Sequence, residues 1–269
     1  MQLRKLLPFC IFSAVLFSCT NEDVTTDTPA TVNPTVAADE RLLNDSTTAD
    51  SVREQQIELL VLNNQYNRAL EQIDQLLAKD SANPAWLYMK ADALEKSGDT
   101  TAALLHYNKA VNSAGVFAEA ELRAANLFAE TGNKNALTLC DNLLKNQGAV
   151  RFRSDILMIK GIYYTKVRQP DKALEIFNQI IREDYSYMDA YIEKGLVYYD
   201  QKKFMEAWNV FKKSTEVKNA FADGYFWMAK AEEKMNKKEE AIANYKRSLA
   251  LDQSLADARD ALKRLGEIK

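Results

Sequence analysis

The sequence predicts an all-α solenoid: about six stacked helix hairpins closed by one further helix. Three observations carry that prediction. Beyond residue 50 the apolar residues recur at helical spacing, and almost no stretch alternates with the period of two that a half-buried strand requires. The pattern returns after 34 residues, so that IKGIYYTKVRQPDKALEIFNQII from Ile159 reappears as EKGLVYYDQKKFMEAWNVFKKST from Glu193. Within the period three slots travel together. One small slot holds Ala91, Ala125, Gly161, Gly195 and Ala229, with Ile57 in the first unit. A second holds Ala69, Ala103, Ala136, Ala173, Ala207 and Ala241. A mostly large slot four residues later holds Ile73, Tyr107, Cys140, Phe177, Phe211 and Tyr245. Antiparallel helices cross closely where both offer a small side chain, and a large one beside the crossing fills the gap.

The chain opens with Arg4 and Lys5, then an apolar run from Leu6 to Phe17. That run is shorter than the roughly 20 residues a spanning helix needs and has the length of a secretory signal's apolar core. It ends in Leu16-Phe17-Ser18-Cys19, which resembles the lipobox of bacterial lipoproteins. The resemblance implies cleavage before Cys19 and lipid attachment to its thiol, with residues 1–18 as the signal. Thr20, where an aspartate would imply retention at the inner membrane, implies the outer membrane of a diderm envelope, with the body facing the periplasm or the surface. Such a lipid anchors a chain without spanning.

Residues 19–50 form the lipidated cysteine and a tether. The stretch TNEDVTTDTPATVNPTVAADERLLNDSTTAD is rich in Thr, Asp, Ala and Pro and holds no aromatic residue. It has too little apolar area to offset its ordering entropy, so it is expected to be disordered. From Ser51 the helical array begins, and Ser51-Val52-Arg53-Glu54 has the spacing of a capping box.

The repeats resemble the tetratricopeptide repeat over about residues 50–253. GDTTAA, AALLHYNKAV, PDKALEIF and EEAIANYKRSLALD carry the likeness most strongly. The resemblance implies a right-handed superhelix over residues 51–269, with Leu255–Leu265 as the closing helix. Terminal units of such stacks need a polar outer face. One unit is irregular. Its two small slots, Ala125 and Ala136, are eleven residues apart instead of twelve, and 25 residues instead of 22 separate Ala136 from Gly161. The loop KNQGAVRFRS holds the surplus, which predicts altered stacking between units three and four and an array of two halves.

Composition excludes several functions. The formal charge is −3, and −5 once Arg4 and Lys5 leave with the signal. No basic patch calls for nucleic acid. After loss of Cys10 and use of Cys19, only Cys140 remains, so no disulfide forms within the mature chain. His106 is the single histidine, and no cofactor or metal is expected. Cys140 sits in the large slot, where a buried, inert thiol is expected.

Members of this family line a concave face with the first helix of each hairpin. On that basis the first three units present a polar, mostly acidic wall: Glu54, Glu58, Tyr88, Met89, Asp92, Arg123, Asn126 and Glu130. The last three present an apolar stripe of Met158, Ile159, Ile162, Ile192, Leu196, Tyr199, Phe226, Trp227 and Lys230. If exposed, the stripe is a groove for an apolar helix or an extended peptide. Glu54 and Glu58 have the wrong sign for the clamp by which some relatives hold a chaperone's terminal carboxylate. The expectation is a non-catalytic, membrane-anchored scaffold that binds a protein or peptide in envelope assembly or secretion. The alternatives are a glycan- or nutrient-capture accessory lipoprotein, for which the chain lacks an added ligand-binding part, and an envelope hydrolase, for which no catalytic constellation is present. The oligomeric state is not legible.

Overall fold

The computed structural model describes residues 49–114 and 118–268. The signal, Cys19 and the tether expected from the sequence lie outside the described residues, except for the last two tether positions, 49 and 50, which are helical. Thirteen α-helices and one 3-10 segment follow one another, with no strand among the described residues. They pair as six hairpins: α1 (49–62) with α2 (Tyr66–Leu77), α3 (Pro84–Ser97) with α4 (Thr100–Ala114), and α5 (Ala118–Glu130) with α6 (Asn135–Lys145). After a 3-10 turn (Gln147–Phe152) come α7 (Arg153–Lys166) with α8 (Pro170–Glu183), α9 (Met188–Asp200) with α10 (Phe204–Val217), and α11 (Ala222–Lys234) with α12 (Lys238–Leu251). Helix α13 (Ala256–Arg264) closes the stack against α12.

Each hairpin is built on the predicted crossing. The large slot is buried in every unit, and so are both small slots. At Gly195 the approach is so close that a Cβ would stand 2.1 Å from Phe211 Cε1; at Gly161 it would stand 2.3 Å from Phe177 Cε1. Glycine is therefore the residue that lets the aromatic ring lie flat against the partner backbone.

The turns repeat as faithfully as the crossings. Each first helix ends on a residue with positive φ: Asn64, Gly98, Gly132, Arg168, Lys202 and Asn236. The next amide then donates to the carbonyl five residues back, as in Asp99 N–H to Leu94 O (2.9 Å) and Lys203 N–H to Tyr198 O (3.0 Å). This left-handed cap satisfies carbonyls that would otherwise be orphaned at the helix end. The capping box expected at Ser51 is not formed. Residue 49 is already helical, and Glu54 instead accepts the indole N–H of Trp86 at 2.6 Å.

The irregularity between units three and four has a definite consequence. Elsewhere in the second half successive first helices barely touch, because a second helix lies between them. Here α7 packs on α5 as extensively as on α6. The shortened α5–α6 turn reaches the end of α7, where Gly132 lies against Val167. The longer loop is tied down by Arg151 pairing with Glu119 and by Arg153 gripping Glu183 at 2.9 Å. The predicted change of stacking is thus a direct contact between first helices. Both become buried over most of their circumference: Leu122, Ala124, Ala125, Asn126 and Leu127 on α5, and Ile156 to Ile159 with Gly161 to Tyr163 on α7.

Candidate functional site

The first helices α1, α3, α5, α7, α9 and α11 carry the face on which the sequence places partner recognition. The structure divides the predicted stripe in two. Met158, Ile159, Ile162, Ile192 and Phe226 are buried, so an exposed groove of all nine side chains is not present. For the α7 residues the reason is α5, which covers the flank that the regular period would leave open. Ile192 joins a core with Phe211, Tyr225 and Met228, and Phe226 packs with Tyr245, Ala258 and Leu262. What remains accessible is Leu196, Tyr199, Trp227 and Lys230, each half-buried.

Those four residues sit on an aromatic bed. Tyr199 meets Phe204 at 5.2 Å and Trp227 at 6.0 Å, both edge to face. Trp227 stacks on Phe211, and the Lys230 ammonium lies 6.0 Å from the Phe226 ring. On α11 Glu232 is buried, accepting from Trp208 Nε1 at 2.8 Å and from Asn244 Nδ2 at 2.8 Å. A buried carboxylate satisfied by neutral donors from both neighbouring helices ties α11 to α10 and α12.

The polar wall of the first half is a network. Glu95 accepts the Tyr107 hydroxyl at 2.7 Å, and its other oxygen is 3.6 Å from Arg123. Asp92 takes Lys96 at 2.7 Å and Arg123 at 3.4 Å. Burial works against the Arg123 charge, yet Glu95 beside it and the neighbouring tyrosine hydroxyls raise its pKa further above the ordinary arginine value. Burial raises the pKa of Tyr88 and Tyr107. Asn126 donates from Nδ2 to Glu130 at 3.2 Å. Burial raises the Glu130 carboxyl above its usual range, with Glu95 adding to the effect.

The pairing of Glu95 with Tyr107 escaped the sequence reading, although a signal for it exists. A tyrosine in the large slot accompanies a glutamate twelve residues earlier: Tyr107 with Glu95, and Tyr245 with Glu233 at 2.7 Å. In each case an arginine from a later helix completes the group, Arg123 for one and Arg264 for the other. The units with Ile73, Cys140, Phe177 and Phe211 have no hydroxyl to donate and no acid at the corresponding place.

Other candidates hold no chemistry. Burial pushes the Cys140 thiol up to about 12, which makes it inert at neutral pH. Burial, reinforced by Lys90 and Lys109, lowers the His106 pKa. A shallow cleft between α1 and α2 is lined by Arg53, Gln56, Arg68, Glu71, Gln72 and Gln75, with no nucleophile or base pair among them. No group of three metal-ligating side chains occurs among the described residues.

A stack of helix hairpins with a half-buried face along its first helices defines a repeat protein of the protein-interaction class. Tetratricopeptide-repeat models match residues 55–120 and 160–214, and a second such model matches 222–255. Together they span more than half of the chain, which belongs to the tetratricopeptide-repeat family. The longest unmatched interval between the matches, 121–159, covers most of the irregular third unit. The fold is similar to a tetratricopeptide repeat protein from Parabacteroides merdae, at TM-score 0.65 and 18% identity over 80% of this chain and 83% of that one. It is also similar to PilW, described as a widely conserved type IV pilus biogenesis factor, at TM-score 0.64 and 15% identity over 80% and 98%. A third likeness is to the C-terminal part of a repeat protein from Cytophaga hutchinsonii, at TM-score 0.54 and 19% identity over 79% and 84%. No curated protein matches the sequence.

Proposed function

We propose that this chain is a non-catalytic adaptor, anchored by lipid at Cys19 to the outer membrane of a diderm bacterium, that holds a protein or peptide partner along its first helices. The observation that carries the reading is the half-buried aromatic group of Tyr199 and Trp227. Aromatic rings of this kind, pre-set by packing below and open above, are favoured anchors for a partner chain. Lys230 and Leu196 flank them, so an extended segment with an apolar side chain and an acceptor suits the site. The pilus role described for PilW belongs to that protein. For this chain the proposed setting is envelope assembly or secretion, and the signal-like start supports it.

A photo-reactive residue at position 199 tests the binding face in cells. One dominant envelope protein should be captured, and Trp227→Ala should reduce the adduct by about tenfold, in keeping with a hot-spot aromatic. Adducts only from α1 and α3 would move the face elsewhere. Cys19→Ala should shift the protein from the membrane fraction to the soluble one, and an unchanged membrane fraction would reject the anchor.

A further inference from the structure

The first helix of the stack breaks a pattern that the other five first helices keep. Val52 and Leu59 are 50% and 58% exposed. The residues at the same two places in the other units, from Trp86 and Ala93 through to Gly224 and Ala231, are all buried. What buries them is the hairpin before. Ala93 packs with Ile57, Ile73 and Leu76, and at Gly224 a Cβ would stand 2.6 Å from Ser214 Oγ and 2.7 Å from Thr215 Cγ2 on α10. No hairpin precedes α1 among the described residues.

Leu62 extends the same strip. It is 69% exposed, at a place where the other five units carry a charge: Lys96, Glu130, Lys166, Asp200 and Lys234. At 3.6 residues per turn the three side chains fall within about 80° of one another, so they form one apolar strip along α1. The end of a stack ordinarily turns a polar face outward. The far end does so, with Asp257, Arg259, Asp260 and Lys263 of α13 in solvent.

Charge says what the absent cover should carry. Arg53 forms no ion pair among the described residues, and neither does Arg68, whose guanidinium donates to Gln65 Oε1 at 2.8 Å. Both border the cleft between α1 and α2. Two junctions further along are sealed by a base on a first helix and an acid on the second helix before it: Lys90 with Asp74 at 2.6 Å, and Lys160 with Asp141 at 2.8 Å. A second copy of this end would bring the same two arginines to a self-complementary contact, so its own charge opposes that pairing.

We infer that the open face of α1 docks an amphipathic helix of a partner protein, with apolar side chains on Val52, Leu59 and Leu62 and acidic ones toward Arg53 and Arg68. The docked helix takes the place that a preceding second helix holds in the other units. This goes beyond the adaptor reading, which stands on the aromatic group of α9 and α11.

The test is calorimetric titration of the full chain with two blocked helical peptides. They share a leucine face and differ on its flank, where one carries Glu and the other Lys. The chain has a net charge of −3, so unspecific attraction favours the Lys peptide. The Glu peptide should nevertheless bind about tenfold more tightly. Leu59→Glu should weaken that binding by about tenfold, and Arg53→Glu with Arg68→Glu should reverse the preference. Leu59 is exposed, so the unfolding midpoint should hold; if it falls, Leu62→Ser supplies the same reading at the most exposed of the three. Equal binding of the two peptides, no binding of either, or binding indifferent to both leucine variants overturns the docking face. A dimer seen by light scattering and dispersed by Leu59→Glu overturns it too, by placing a second copy there. The adaptor reading fails separately. If position 199 captures a partner while neither peptide binds, the docking face is wrong and the adaptor stands. If the Glu peptide binds through Leu59 and nothing is captured at position 199, the docking face stands and the aromatic site is wrong.

Discussion

The two halves of the stack reach the same architecture with different chemistry on their first helices. In α3 and α5 the half-buried edge is a charge network built around Arg123, with Asp92 and Glu95 as its acids and the Tyr107 hydroxyl bonded to Glu95. In α9 and α11 it is a set of rings, Tyr199 standing edge to face with both Phe204 and Trp227. The repeat dictates what lies in the crossing and leaves the outward positions free. A solenoid thus varies its surface unit by unit without touching its core.

The comparison can be broken first at the crossings, where the largest effect is expected. Gly195→Leu places atoms where the Phe211 ring lies, and overpacking of this kind costs about 1–3 kcal/mol or more. Chemical denaturation should show the loss, and an unchanged midpoint would mean that the two helices do not meet there. A smaller effect sharpens the comparison between halves. Tyr107→Phe and Tyr245→Phe each remove a donor to a glutamate, worth about 1–2 kcal/mol at a partly buried charged acceptor. Similar losses in the two variants would establish the shared Tyr–Glu–Arg device. A loss in one alone would show that the halves use it differently.

The smallest effect is a pH dependence. Glu130 has a raised pKa in the folded state, so the folded chain holds its proton at pH values where the unfolded chain has released it. Stability therefore falls as pH rises from the unfolded carboxyl value of 4.5 to the raised folded value. Glu130→Gln lacks this term. It should be the more stable protein above the raised pKa, and the gap should close as the pH is lowered through it. Denaturation midpoints across that window measure the difference.

Most of the fold was legible because the repeat writes its rule at fixed intervals. The small and large slots predicted every crossing, and the surplus residues near Gln147 marked the place where stacking changes. The accessible face was less legible, for a reason seen in α7. Whether Met158 and Ile159 meet water depends on how α5 lies, and that depends on the path of an irregular loop whose conformation no period encodes. Whether Ile192 and Phe226 are exposed was left open by the sequence for a related reason: side chains of the next unit cover them, a contact between residues more than thirty positions apart. The Tyr–Glu pairing was present in the sequence and visible only when the two slots are compared across all six units.

The contact between α5 and α7 has a mechanical meaning. A stack in which each hairpin grips only its neighbour is a spring of nearly equal coils, and a pull on it is shared along its length. Here two coils in the middle are welded by an additional seam, with Arg151 of the connecting turn paired to Glu119 of α5 across it. Tension applied at the α1 end of the stack would therefore be taken up in α1 to α4 before it reached the weld. The aromatic site on α9 and α11, beyond the weld, would keep its shape while the first coils stretched.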